Sequence, residues 1–146
     1  MNTSSPCLET QVLELIERLA HADRLERVQA AVGLVRLGRQ GRPLTAALAE
    51  ALKDQRPVVR KMAALVLGDL APETTAAIPA LIAALCDTHE GVRRRAVVAL
   101  GQYGHDATAA LPALQTALHD PDEGVRSFAA TALALIEPTA RRDQAA

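Results

Sequence analysis

Asp87-Thr88-His89-Glu90-Gly91-Val92-Arg93-Arg94-Arg95-Ala96-Val97-Val98-Ala99-Leu100-Gly101 decides the fold, because its skeleton also stands 33 residues earlier and 33 residues later. Asp54, Val59, Arg60, Ala63, Leu67 and Gly68 fill the earlier places; Asp120, Val125, Arg126, Ala129 and Leu133 fill the later ones. The second half of the period recurs as well. Ile78-Pro79-Ala80-Leu81 returns as Leu111-Pro112-Ala113-Leu114, and Leu85 as Leu118. A fixed period of this size marks a stack of supersecondary units, none of which buries its apolar face alone.

Each period divides into two helices, A and B. The A helices are expected over 24–37, 56–70, 89–103 and 123–136, and the B helices over 43–53, 74–86 and 107–119. Asp at the start of each A helix suits capping of free amides, with Glu90 and Glu123 reaching back from the first turn. Pro121 fits a first helical position, and Gly38, Ala71 and Gly104 mark the C-terminal ends. Ile78, Leu81, Ile82 and Leu85 share one helical stripe, which Leu111, Leu114 and Leu118 largely repeat. Val12, Leu15 and Leu19 lie 66 residues before Ile78, Leu81 and Leu85, so 8–20 is a B helix without an A helix before it. The expected organisation is a disordered segment 1–7, a repeat domain 8–136 and a disordered tail 137–146. The first unit is degenerate: Arg27, Ala30, Leu34 and Leu37 align, but His21 replaces the Asp and Val35 replaces the Gly. Its packing angle is expected to differ.

Nearly half of the 146 residues are hydrophobic, with one Tyr, one Phe and no Trp, so the core is built from Ala, Leu, Val and Ile. A net charge of -1 supplies no overall drive toward nucleic acid or anionic membrane. Cys7 and Cys86 show no disulfide or metal-ligand spacing and suit a reducing compartment. The first residues lack a basic and then apolar leader, and no run reaches the roughly 20 apolar residues of a membrane helix. A soluble cytoplasmic protein is expected.

The pattern Asp-x-x-x-x-Val-Arg-x-x-Ala-x-x-x-Leu-Gly, in Asp54 to Gly68 and Asp87 to Gly101, resembles HEAT repeats, particularly the bacterial HEAT-like repeats also found in phycobilisome lyases. The resemblance covers residues 8–136. It implies an all-α, right-handed α-solenoid of antiparallel helix pairs with the B helices lining the concave side. Ankyrin repeats share the period, but their Thr-Pro-Leu-His signature is missing.

Several candidate sites follow. Arg60, Arg93 and Arg126, each six residues after Asp54, Asp87 and Asp120, form a ladder expected to bond the Asp of its own or the next unit as framework. Arg93-Arg94-Arg95 and Arg60-Lys61 raise nucleic acid, since a class of HEAT-fold DNA glycosylases holds duplex. The run is short, broken by acidic residues and without aromatics to stack bases, which favours a solvated face. Deoxyhypusine hydroxylase builds an iron site from His-Glu pairs directly after the Val-Arg of such repeats. The matching positions here are Lys61-Met62, Arg94-Arg95 and Ser127-Phe128, which supply no ligands, so neither metal nor cofactor is expected. No nucleophile with a supporting His and no phosphate loop is present, so no catalytic residue is assigned. The non-core B positions Ala47, Glu50, Ala76, Ala80, Ala83, Ala109, Ala113 and Thr116 form a smooth groove suited to a partner helix or extended segment. Phe128, with Leu135 and Ile136 on a last A helix with no following B helix, offers a second surface at the C-terminal end for self-association or another protein. The expected function is a non-catalytic protein–protein interaction scaffold or adaptor. An accessory subunit of a bilin lyase-like complex is the alternative, and a nucleic-acid-binding protein comes third.

Overall fold

The computed structural model describes residues 7–137; the expected N-terminal segment up to residue 6 and the tail from 138 lie outside the described residues. Among the described residues eight α-helices follow one another: α1 (Leu8–Arg18), α2 (Arg24–Arg39), α3 (Thr45–Ala51), α4 (Pro57–Asp69), α5 (Ile78–Ala84), α6 (Glu90–Tyr103), α7 (Leu111–Ala117) and α8 (Glu123–Ile136). Even-numbered helices are the long A helices and odd-numbered ones the B helices. Two B helices are shorter than their periodicity suggests. Their first turns are 3-10 segments, Thr75–Ala77 and Gly104–Ala110, and regular α-helix begins only beside Pro79 and Pro112. Proline lacks an amide to donate, so it sits in a first turn without losing a helical bond.

The repeat positions are the core. Ala30, Ala63, Ala96 and Ala129 are fully buried, as are Leu34, Leu67 and Leu100, with Leu48, Leu81 and Leu114 facing them from the B helices. Each A helix packs chiefly on the B helix before it and on the A helices of neighbouring units. The described residues therefore form four B–A hairpins in a row, so α1 and α8 both have a hairpin partner.

Glycine sets the spacing between A helices. A Cβ at Gly68 would lie 3.0 Å from Ala99 Cα, and one at Gly101 would lie 3.3 Å from Ala132 Cα, so α4, α6 and α8 cross almost backbone to backbone. Val35 holds the equivalent place on α2, and the α2–α4 junction is much sparser than α4–α6 or α6–α8. The degenerate first unit thus packs more loosely on the second.

Two local expectations are corrected. Asp54, Asp87 and Asp120 are not helix caps; each accepts the amide two residues on, from Arg56, His89 and Asp122, at 2.9 Å, and so closes a tight turn. The capping side chains come later: Asp23 accepts Leu25 N–H, His89 Nδ1 accepts Gly91 N–H and Asp122 accepts Val125 N–H. Pro121 consequently sits in the turn, while Pro57 takes the first helical position. Gly38 likewise lies inside α2, where a Cβ would come 2.6 Å from Leu70 methyl carbons; the positive φ after α2 belongs to Gly41, at 77°. Gly104 has positive φ where its helix ends, as expected.

Candidate functional site

The ladder is the most regular polar feature. Arg60 donates from Nε and Nη2 to both oxygens of Asp87 at 2.7 and 2.9 Å, and from Nη1 to the Asp54 carbonyl at 2.8 Å. Arg93 repeats this on Asp120 at 2.9 and 3.0 Å and on the Asp87 carbonyl at 2.9 Å. Each guanidinium thus ties its own turn to the next unit with a two-pronged, charge-assisted pair. Burial opposes ionisation of Asp87 and Asp120, but the Arg60 and Arg93 hydrogen bonds and turn amides outweigh it and hold both below the usual carboxylate value. Arg126 keeps the contact to the Asp120 carbonyl, at 2.7 Å, and among the described residues finds no carboxylate.

The rung between the first two units is different. Arg27 bonds the carbonyls of His21 and Ala22 but does not reach Asp54. Asp54 is held instead by Arg56, which also grips Glu17 of α1 at 3.0 Å. The Arg56 hydrogen bond lowers the Asp54 carboxyl to a pKa of about 2. The gap left by Val35 and the lost rung coincide.

The B-helix positions keep strict register. Ala76, Ala83, Ala109, Thr116 and Glu50 are exposed, while Ala47, Ala80 and Ala113 are half-buried at equivalent places in three units. Phe128, 43% exposed, is placed otherwise than the sequence suggested. It lines a cleft of about 310 Å³ with Lys61, Arg94 and Arg95, leaning back over α6 on the outer A face. Leu135, 53% exposed, approaches Gly101 on the same side, whereas Ile136 is buried. The outward positions of α8 that correspond to Lys61, Ala64, Leu65 and Gly68 are Ser127, Ala130, Thr131 and Ala134, all exposed and small. That face of α8 is therefore small and partly polar.

Of the basic run, Arg93 pairs with Asp120 and Arg94 with Asp122, leaving Arg95 without a carboxylate partner among the described residues. Two of three charges are already neutralised, which weakens any phosphate-binding surface. The pairs Lys61-Met62, Arg94-Arg95 and Ser127-Phe128, directly after the Val-Arg of each unit, carry no carboxylate, imidazole or thiol to hold a metal ion. Among the described residues no three His, Cys, Asp or Glu side chains converge as ligands, and Cys7 and Cys86 are both exposed thiols.

Two features went unnoticed in the sequence. Tyr103 is buried, its hydroxyl 2.5 Å from that of Thr74, and both hydroxyls reach the Leu67 carbonyl. Burial raises the Tyr103 pKa. Its alignment with Leu70 and Ile136, buried apolar residues, was the available signal. The second is an apolar stripe on α2, where Leu25, Val28 and Val32 are exposed. The helical spacing of these residues was visible, but their exposure depends on the open α2–α4 junction.

A family model for HEAT repeats matches residues 12–86 and again 78–145. The chain belongs to the HEAT-repeat family. Among solved structures, this HEAT chain is similar to human deoxyhypusine hydroxylase, with 34% identity and a TM-score of 0.67 over 91% of the chain and 46% of that protein. It is also similar to the complex of CpcE and CpcF of phycocyanin lyase from Nostoc sp. PCC7120, with 28% identity and a TM-score of 0.65 over 92% of the chain and 55% of the matched one. An engineered protein at 24% identity and a TM-score of 0.62, matched over 87% of this chain and 62% of its own, shares the fold. The chain spans about half the length of the first and third matched structures' chains. No curated protein matches it significantly. No described helix is long and apolar enough to cross a membrane.

Proposed function

We propose that this HEAT chain is a non-catalytic protein–protein interaction scaffold or adaptor in the cytoplasm, presenting its B-helix groove to a partner protein. The observation that supports it most is the register of the small-residue face. Ala76, Ala80 and Ala83 repeat as Ala109, Ala113 and Thr116 with the same order of exposure, on units fixed by the Arg60–Asp87 and Arg93–Asp120 pairs. A rigid, shallow surface of this kind loses little conformational entropy when a helix or extended segment settles on it.

Affinity capture with Ala83→Arg/Thr116→Arg beside the unaltered protein tests this reading. Both positions are exposed, so circular dichroism should be unchanged while the captured partner is lost. Equal capture by both proteins moves binding off the B face. The similarity to the CpcE–CpcF complex favours a second reading, an accessory subunit of a bilin lyase-like assembly. A bilin absorbance change on mixing with the protein would support it, and an unchanged spectrum would remove it.

A further inference from the structure

The α2–α4 junction is open at positions that the rest of the stack covers. Counting in the 33-residue register, Val28, Val32 and Val35 on α2 correspond to Lys61, Leu65 and Gly68 on α4 and to Arg94, Val98 and Gly101 on α6. On α4 and α6 the next A helix lies against this row, so Gly68 and Gly101 are buried and Leu65 and Val98 partly so. On α2 the first two positions of this row are uncovered, Val28 being 45% exposed and Val32 53%, with Leu25, one turn earlier, at 62%, while Val35 is half-buried. A cleft of about 380 Å³ separates it from Met62 and Leu65 of α4.

Three features keep the cleft open. Val35 replaces the glycine that lets neighbouring A helices touch. Arg27 bonds carbonyls of its own turn and forms no rung, and Arg56 turns Asp54 toward Glu17. The cleft is thus part of the packed structure. A row of β-branched side chains on a long helix beside an apolar trough buries its surface when a second helix lies along it, at the spacing of a helix-in-groove contact.

Charge selects the occupant. Arg24, Arg36 and Arg39 are exposed on α2 around the stripe, and none of them is ion-paired among the described residues. Arg39 and Asp69 form the rim of the cleft itself, Asp69 being its one acidic group. A second copy packing α2 on α2 would oppose these arginines to one another, so like charge disfavours that arrangement. We propose that the α2–α4 cleft docks an amphipathic helix of a partner protein, its apolar side chains entering against Val28 and Val32 and its flanking Asp or Glu residues pairing with Arg36 and Arg39. The assignment rests on the protein-binding reading above and gives it a second surface with a defined chemistry.

The test places a photo-reactive benzoylphenylalanine at Val32 and, in a separate protein, at Ala83, followed by irradiation in native lysate and sequencing of the cross-linked peptides. The Val32 probe should join a segment with helical apolar spacing and acidic flanks. Arg36→Glu/Arg39→Glu should reduce that product at least tenfold while leaving circular dichroism and the Ala83 product unchanged. The proposal is overturned by no product at Val32, by a product with the chain's own residues or a second copy, by a partner segment lacking acidic flanks, or by a yield indifferent to the charge reversal. Products at Ala83 alone sink the cleft and leave the scaffold; absence of products at both sinks both readings.

Discussion

At the scale of single residues, one side chain type has two different surroundings, and its energetic weight should follow them. Arg93 spans two units through a shielded two-pronged pair, whereas Arg126 holds only carbonyls of its own turn. Removing one member of a shielded pair strands the other, so Arg93→Ala should cost about 2–3 kcal/mol. Arg126→Ala loses only bonds to exposed backbone carbonyls, which water replaces, and should cost about 1 kcal/mol or less. Urea denaturation of the two variants checks the order; equal losses would remove the rungs from the account of stability. The pH response follows from the same acids. Asp54, Asp87 and Asp120 all bind protons less readily when folded, so the unfolded chain takes up protons first as pH falls. Their stabilisation is complete above the ordinary value of 3.8 and, for Asp54, disappears as the pH falls through about 2. Chemical denaturation should show stability nearly level from pH 5 to about 4 and falling from there to pH 2, and a flat profile across the lower interval would contradict it.

At the scale of elements, periodicity located every helix, and the corrections concern how the ends are made. The repeated Asp looked like a cap because it precedes α4, α6 and α8, but its side chain serves a turn and, for Asp87 and Asp120, an arginine of the preceding unit. Sequence spacing does not distinguish these partners, since the Arg that claims Asp87 comes 27 residues earlier. The ladder and the alternation of exposure along the B helices could be laid out from the sequence because both repeat. Tyr103 and the α2 stripe could not, because each departs from the repeat and acquires meaning only from its neighbours. Glycine at the A-helix crossings gives the sharpest element-level expectation. Gly68→Val would press against Ala99 backbone and should destabilise by about 2–3 kcal/mol despite improving helix propensity. A lowered thermal midpoint with unchanged helical content checks it.

At the scale of the whole molecule, stability in a stack is close to a sum over units and the interfaces between neighbours. The interfaces here are unequal. α4, α6 and α8 are in close contact and tied by two rungs, while α2 meets α4 across the cleft and its hairpin partner α1 is tied to the next unit through Glu17 and Arg56 at an exposed site. Amide hydrogen exchange should therefore reach the slowest rates in α4 and α6 and open α1 and α2 at lower free energy. Uniform protection along the chain would refute this division. The sequence pointed to the weak place, since Val35 and His21 already broke the pattern, but it did not say that the break would leave a cleft.

Val35 also has a mechanical meaning. A rod of identical, equally joined units strains evenly under tension, whereas one with a single compliant joint concentrates its deformation there. Pulled along its axis, this stack would yield first between α2 and α4, with the three later hairpins moving as one stiff body and the first swinging on it like a wrist.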